Sequence, residues 1–209
     1  MYLPPRYRQE DVTVISDFIR AARLASLITV DSGIPVVSHI PVLLLDDATE
    51  NGVLVCHISR ANPQASTLNG PALVTFLGDD AYIHPGWYES KRDHGKVVPT
   101  WNYVAVHVRG EARRVEEPTE LRAILERLTD QHEKGREGRW HVSDAPADYI
   151  ETMLDAIIGI EIKIHSVEAK WKLGQDKSVA DFDGVIAGLE KSPDERDRSA
   201  ALRMRTVKR

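Results

Sequence analysis

Residues 158–164 constrain the fold most strongly, because their apolar and charged side chains alternate with a period of two. Such alternation is typical of a strand with one buried face. Residues 101–110 alternate in the same way, with valines at every second position from Val104 to Val108. Short apolar segments predict further strands at 24–30, 34–45, 53–58, 72–77 and 81–84, of which the one at 34–45 is interrupted by Pro35 and Pro41. Many short strands with few intervening helices favour a small β-barrel over a doubly wound parallel sheet.

Helical periodicity is confined to four segments. They are residues 12–23, residues 118–133, a stretch after Pro146, and residues 178–190. Turns are predicted at 31–33, 46–52 and 78–80, and residues 85–99 are irregular. The simplest division is one mostly β domain over residues 1–190, with an N-terminal helix and C-terminal helices. Residues 191–209 are predicted to form a charged C-terminal tail, frayed from Ser192 onward.

Composition excludes several classes of protein. A single cysteine, Cys56, excludes an intramolecular disulfide framework and a cysteine-rich zinc site. No secretory signal and no membrane-spanning segment is recognisable, which predicts a cytoplasmic protein without a membrane partner. The net charge of −5 gives no general attraction to nucleic acid. A local basic cluster does occur near the C-terminus (Arg203, Arg205, Lys208 and Arg209), and it is typical of a solvated tail.

The first segment that could carry chemistry is residues 56–64, where a strand ends in hydroxyl, guanidinium and amide groups. The planar fork of Arg60 matches a phosphate, and Ser59 or backbone N–H groups could complete the cradle. Asn62 and Gln64 could supply amide hydrogen bonds. The alternative is a polar loop whose arginine pairs with a nearby carboxylate.

Two further segments are candidates for ligand contact. Residues 84–91 and 97–103 place two Trp and two Tyr within about one loop of each other, together with Lys91, Thr100 and Asn102. Aromatic rings could flank a planar ligand while Thr and Asn hydrogen-bond its edge. The alternative is that the aromatics plug the end of a barrel. Residues 169–176 could close over an anion through Lys172, or could simply be a connecting loop.

Motifs for hydrolysis or metal binding are missing from the sequence. It contains no HExxH, no CxxC and no GxSxG. Cys56 and His57 are neighbours on a predicted strand, so they point to opposite faces and form no nucleophile–base pair. The histidines on predicted strands, namely His39, His57, His107 and His165, are expected to have hydrogen-bonded structural roles. No catalytic group and no metal ligand is therefore predicted.

At these same segments the chain resembles the PaiB family, described as FMN-binding negative transcriptional regulators. The matches extend over nearly the whole length. They are Met1-Tyr2-Leu3-Pro4 with Tyr7; Ser38-His39-Ile40-Pro41; His57-Ile58-Ser59-Arg60-Ala61-Asn62-Pro63-Gln64; Trp87-Tyr88-Glu89-Ser90-Lys91; Val98-Pro99-Thr100-Trp101-Asn102-Tyr103; and Lys170-Trp171-Lys172-Leu173. The chain departs from the family pattern at Gly86, Gly174 and Asp176, where two hydroxyls are lost and a negative charge is added.

The resemblance implies an FMN-binding split barrel, usually a homodimer with flavin at the interface. On this basis Ser59 and Arg60, helped by Lys91 or Lys172, are predicted to hold the FMN phosphate. Three residues of one strand, Thr100, Trp101 and Asn102, would face the isoalloxazine ring, and Asn62 and Gln64 would add amide hydrogen bonds.

Three functions follow from this resemblance. The first is a PaiB-type negative transcriptional regulator, for which DNA is a partner at the level of the family alone; the sequence has no helix-turn-helix signal. The second is a flavin-dependent oxidoreductase acting on a small molecule. The third is a haem-binding or haem-utilisation protein, which would need an axial histidine. The sequence does not decide whether the chain is an enzyme.

Overall fold

A computed structural model describes residues 1–45 and 52–207. Most of the turn predicted at 46–52 lies outside the described residues, as do Lys208 and Arg209. The strands in the described part are β1 (Arg8–Gln9), β2 (Ala25–Asp31), β3 (Ile34–Ile40), β4 (Leu43–Leu45), β5 (Val53–Ser59), β6 (Gly70–Ile83), β7 (Thr100–Val115) and β8 (Ile157–Lys172). The α-helices there are α1 (Val12–Ala21), α2 (Ser90–Asp93), α3 (Pro118–Glu133), α4 (Ala147–Asp155), α5 (Val179–Glu190) and α6 (Glu195–Arg205).

The described strands form one sheet in the order β3-β2-β6-β7-β8-β5-β4, and β1 pairs with β8. The pairings with a defined register are antiparallel. The β2–β3 hairpin turns through Ser32 and Gly33, whose φ angles are 51° and 84°. Two consecutive positive φ angles give the turn a twist that matches the two strands. The predicted fold class, mostly β with appended helices, is confirmed.

The turn predicted at 78–80 is wrong. Residues 72–77 and 81–84 belong to one continuous strand, β6, because Gly78-Asp79-Asp80 does not interrupt the extended backbone. Asp79 accepts hydrogen bonds from Ser199 at 2.6 Å and Arg203 at 2.9 Å, which satisfies its carboxylate without a turn. The interruption expected at Pro41 is confirmed, because Pro41 cannot donate a ladder hydrogen bond, whereas β3 continues through Pro35.

The chain forms two compact units, and β6, β7 and β8 contribute residues to both. The first unit comprises Met1–Asp11, Leu77–Val106 and Glu168–Arg209, and the second comprises Val12–Phe76 and His107–Val167. The expectation of a single domain over residues 1–190 stays a prediction. None of the helices in residues 1–45 and 52–207 is long and apolar enough to cross a bilayer.

The core of the second unit is built from β-branched and aliphatic side chains at alternate strand positions. One cluster joins β5 and β7 to α3, and a second joins α3 to α4. The first contains Val53, Val55, Val115, Ile124 and Leu128, and the second contains Leu121, Val142, Ile150 and Leu154. Ile157, the first residue of β8, packs against the second cluster and pairs with Ser59 at the end of the β5–β8 register.

The C-terminal segment of the first unit is a helix, so the prediction of a frayed tail from Ser192 is wrong. Asp194 caps α6 by accepting a hydrogen bond from the Arg196 N–H at 2.9 Å. Ala200, Ala201 and Met204 are at most 1% exposed. These three residues form a narrow apolar stripe that packs the helix against the rest of the unit. The many charged residues around them made the stripe hard to recognise in the sequence.

Candidate functional site

The polar segment after β5 is held in place by backbone hydrogen bonds in the second unit. The Arg60 N–H donates to the Ala156 carbonyl at 2.9 Å, and the Asn62 N–H donates to the Ser59 carbonyl at 3.0 Å. The Asn62 side chain then caps the following 3₁₀ helix by accepting from the Gln64 N–H at 2.9 Å. The Pro63 ring suits the first position of that helix. Local capping chemistry therefore sets the path of the predicted phosphate loop.

An open cleft of about 460 Å³ lies beside this segment. Its polar lining comes from β3, the end of β5 and the turn, and its apolar lining comes mainly from isoleucines. The lining residues are Ser38, His39, Ile40, His57, Ile58, Ser59, Asn62, Ala156 and Ile157. Asn62 Nδ2 donates to Ser38 Oγ at 2.9 Å, which ties the turn to β3. The volume falls within the range of roughly 300–1,000 Å³ that is typical of ligand sites.

His57 carries an unpartnered nitrogen in this cleft lining. Its Nδ1 is buried, and no residue in the described ranges hydrogen-bonds to it. Burial lowers the pKa of His57, so the imidazole is neutral near pH 7. The expected hydrogen-bonded role is found for His39, whose Nδ1 lies 3.0 Å from Ser26 Oγ, and it is wrong for Nδ1 of His57. A buried polar atom of this kind calls for a partner that the described residues do not supply, such as a water molecule or a ligand.

Arg60 uses part of its guanidinium within the second unit. Nε donates to the Asp155 carbonyl at 2.9 Å, a terminal nitrogen donates to the Ile157 carbonyl at 3.2 Å, and the other donates to Glu116 at 2.9 Å. Glu116 also accepts from Arg114 at 2.8 Å, so one carboxylate is shared by two cations. The side chain of Arg60 is 45% exposed. The alternative interpretation, an arginine paired with a nearby carboxylate, is found in the structure. Two guanidinium N–H groups remain beside the three that donate, and the phosphate contact stays a prediction.

The side chain of Gln64 has a structural role. It is fully buried, and its Nε2 lies within 3.2 Å of the Leu27 carbonyl, the Thr29 hydroxyl and the Val36 carbonyl. These contacts link the 3₁₀ helix to β2 and β3. Gln64 therefore has no free amide N–H for the hydrogen bond that the sequence predicted.

The other five predicted site residues lie in the first unit. Lys172 donates to the Thr100 hydroxyl at 2.6 Å and to the Trp101 carbonyl. The Asn102 side chain is 3% exposed, and its amide donates to the Met204 sulfur at 3.4 Å. The indole of Trp101 is 53% exposed and meets Tyr82 edge-on. Lys91 is exposed on the short helix α2. Thr100, Asn102 and Lys172 are brought together, whereas Trp101 and Lys91 face solvent.

Thr100, Asn102 and Lys172 line a cavity of about 150 Å³. Its polar lining also includes Tyr7, Tyr88 and Asp176, which the sequence did not single out as site residues. Tyr88 belongs to the aromatic segments that the sequence offered for ligand contact, whereas for Tyr7 the signal was its place beside a matched family motif. Burial raises the pKa of Tyr88, so its hydroxyl stays protonated and can donate a hydrogen bond.

Cys56 is excluded as a reactive group. It is fully buried, and burial raises the pKa of its thiol to about 12. A thiol with that pKa has almost no thiolate near neutral pH.

Comparison with known proteins agrees with this fold. Residues 1–166 match the family described as "Putative FMN-binding domain". Protease synthase and sporulation protein PAI 2 of Bacillus subtilis is 30% identical over 192 residues, covering 91% of this chain and 89% of that protein. Protein AN0679 of Emericella nidulans is 34% identical over 227 residues, covering 91% and 90%. The FAD and haem binding protein of Mycobacterium smegmatis superposes with a TM-score of 0.63 at 19% identity, covering 87% and 80%.

The fold is a split barrel of the flavin-binding type. The chain belongs to the FMN-binding domain family, as the PaiB resemblance implied, and its cofactor is FMN. The cleft of the second unit fits this cofactor in volume and in its donor set, since hydroxyl, amide and imidazole groups adjoin an apolar isoleucine wall. The guanidinium of Arg60 is not part of this lining but donates to the carbonyl of Ile157, which is. When bound, FMN supplies the redox chemistry of its ring system, and the protein supplies position and electrostatics.

Proposed function

We propose that the cleft of the second unit holds FMN and that the chain acts as a PaiB-type regulatory flavoprotein. Ser59 and Arg60 hold the phosphate, and Asn62 with the Ser38 hydroxyl hydrogen-bonds the ligand. The unpartnered Nδ1 of His57 is the single observation that carries this assignment, because the protein's own described atoms do not satisfy it. Gln64 has no part in this site, since its amide N–H groups are used internally.

The electrostatics of the loop support phosphate binding. Three of the five guanidinium N–H groups of Arg60 have partners, and two remain for a ligand. Arg60 and Arg114 share Glu116, so the three side chains together carry a net positive charge. Hydrogen bonds from Arg60 and Arg114 lower the pKa of Glu116, which keeps the carboxylate ionised. The net positive charge of this loop therefore attracts a phosphate, and the Glu116 carboxylate competes with the phosphate for Arg60.

The predicted cofactor contacts in the first unit are a separate part of the proposal. Trp101 presents an exposed indole that suits stacking on a flat ring, and Lys91 presents an exposed ammonium that suits a phosphate. We place both at the cofactor in a homodimer. The flavin contacts of Thr100, Asn102 and Lys172 stay predictions, and Lys172→Met tests them through FMN affinity.

Regulation through flavin fits the molecule better than direct DNA contact by its basic helix. Each of the four arginines of α6 has a partner in the first unit. Arg196 pairs with Asp194, Arg198 donates to the Ser192 carbonyl, Arg203 pairs with Asp79, and Arg205 pairs with Glu190. DNA binding needs cations that are free to neutralise phosphates. We infer that the regulatory effect depends on the flavin state or on a protein partner.

A flavin-dependent oxidoreductase is the second candidate. The pairing of the α6 arginines favours it over a regulator that binds DNA directly through this helix. Haem binding is the third. It draws support from the neutral imidazole of His57 and from the M. smegmatis neighbour, which binds FAD and haem. The absorbance spectrum of the purified protein separates flavin from haem. Bleaching of a flavin spectrum by NAD(P)H would favour the oxidoreductase over the regulator.

The proposed site is tested by FMN titration of the flavin-free protein. Arg60→Met is expected to weaken FMN binding about tenfold or more, since a charge-assisted pair of hydrogen bonds is lost. Arg113→Met is the matched control, because Arg113 also pairs with glutamate in the second unit but its guanidinium forms no hydrogen bond or ion pair with a described residue of the cleft lining. Arg60, by contrast, follows Ser59 and donates to the Ile157 carbonyl. Equal FMN affinity of the Arg60 and Arg113 variants would refute the phosphate assignment.

A homodimer in the cytoplasm completes the proposal. The free cysteine is consistent with a reducing compartment. Analytical ultracentrifugation of the FMN-loaded protein tests the dimer, and a monomeric mass at all concentrations would contradict it.

A further inference from the structure

The cavity of the first unit has an unmatched positive charge. Lys172 donates to a hydroxyl and to a carbonyl, and within the described residues no carboxylate pairs with it. Asp176 lines the same cavity, but its carboxylate is 2.9 Å from Lys177 and accepts a hydrogen bond from Tyr7. Asp176 and Lys177 balance each other, so the lining keeps the charge of Lys172.

The surroundings make this charge costly. Burial and, to a smaller extent, the nearby ammonium of Lys170 lower the pKa of Lys172. Lys170 is 7% exposed, and its Nζ donates to the Tyr2 carbonyl at 3.1 Å. The Nζ atoms of Lys170 and Lys172 lie 5.1 Å and 5.9 Å from the Tyr103 ring centroid, so the two cations flank one aromatic face. A bound anion would offset the desolvation of Lys172 directly.

One part of the cavity wall is apolar. Ile83, Phe182, Val185 and Met204 line it, and each is at most 5% exposed. The volume of about 150 Å³ suits a ligand of roughly the size of one six-membered ring. That volume is too small for an isoalloxazine, which has three fused rings. Size and lining thus select a small ligand with one anionic end and one apolar end.

We propose that this cavity binds a small organic acid, with its carboxylate on Lys172 and the Thr100 hydroxyl and its apolar part against Phe182 and Val185. Such a ligand is a substrate or an effector distinct from the cofactor. The proposal requires only that the flavin binds outside this cavity, and the cavity and the proposed FMN cleft share no lining residue.

Benzoate is the probe, with benzyl alcohol as its uncharged counterpart. Calorimetric titration of the FMN-loaded protein is expected to show saturable benzoate binding that is at least tenfold tighter than benzyl alcohol binding. Lys172→Met is expected to remove this preference while leaving benzyl alcohol binding within about twofold, because Met keeps the length of the side chain. Lys191→Met, at an exposed lysine of the same unit outside the cavity, is the matched control and is expected to bind benzoate as the unmodified protein does.

Two results would overturn the proposal. One is the absence of saturable benzoate binding to the unmodified, FMN-loaded protein. The other is loss of FMN rather than benzoate in Lys172→Met, combined with competition between FMN and benzoate, which would assign the cavity to the cofactor. Thermal unfolding of each variant separates loss of binding from loss of folding. If the protein holds no flavin but still binds benzoate, the cofactor proposal fails and this one stands.

Discussion

Arg60 and Glu116 form an ion pair of 2.9 Å at the edge of the proposed phosphate loop. The carboxylate is 49% exposed and accepts from Arg114 as well, so it competes with any phosphate for the same guanidinium. The pair explains how one arginine can serve both as part of the fold and as part of a ligand site. Two of its three protein contacts are to backbone carbonyls, which position the side chain without neutralising it.

Glu116→Gln is expected to raise FMN affinity by no more than about fivefold, because exposed ion pairs compete weakly. Fluorescence quenching of FMN during titration measures the change. Glu120→Gln, which removes a carboxylate that pairs with Arg113 instead, is the control and should leave affinity unchanged. A fall in affinity for Glu116→Gln would mean that the pair orients Arg60 and does not compete with the phosphate.

His57 gives a pH dependence of stability with a defined sign. Burial lowers its pKa in the folded state, so below about pH 6.5 the unfolded chain takes up a proton that the folded chain resists. The free energy of unfolding therefore falls as the pH decreases below that point. Urea unfolding of the flavin-free protein at about pH 7.5 and about pH 5.5 is expected to show a larger decrease for the unmodified protein than for His57→Gln. Identical decreases would place His57 in an unperturbed environment.

Trp87 packs against a glycine on α5. An added Cβ at Gly188 would lie 2.4 Å from the Trp87 ring, closer than any real contact. Gly188→Ala is expected to cost about 1–3 kcal/mol by overpacking. In a Trp87→Ala background the same change should become neutral or stabilise by up to about 1 kcal/mol, since alanine favours helix. A double-mutant cycle of urea unfolding measures the coupling, and additive effects would contradict the contact.

Helix α6 is expected to contribute to stability through Met204, which is 1% exposed. Met204→Ala should cost about 2–5 kcal/mol, the range for truncating a buried aliphatic chain. Leu202→Ala on the same helix is the matched control, because Leu202 is 66% exposed, and it should change stability by less than about 0.5 kcal/mol. If both variants change the free energy of unfolding by similarly small amounts, α6 does not pack stably and the prediction of a frayed tail would be right.

The sequence by itself determined the strand-rich class, the central strands and four of the helices. The alternation at 158–164 and the valines of β7 determine which face of each strand is buried. A shift of the register by one residue would move the apolar side chains from the core to solvent. The motifs also placed the loop at Ser59 and Arg60, since Pro63 and the capping side chain of Asn62 act over a few residues. Strand alternation and helix capping involve residues close together in the chain, so both can be predicted from the sequence.

Only the tertiary structure decided which polar groups are free. Gln64 and His57 are both polar residues in the same matched motif, yet the amide nitrogen of Gln64 donates to the backbone of β2 and β3, whereas Nδ1 of His57 and Oε1 of Gln64 are buried without a described partner. The helix α6 and the unmatched charge of Lys172 also depend on partners more than 70 positions away in the chain. Hydrogen bonding and burial are sums over neighbours in space, and the spacing of residues along the chain does not encode them.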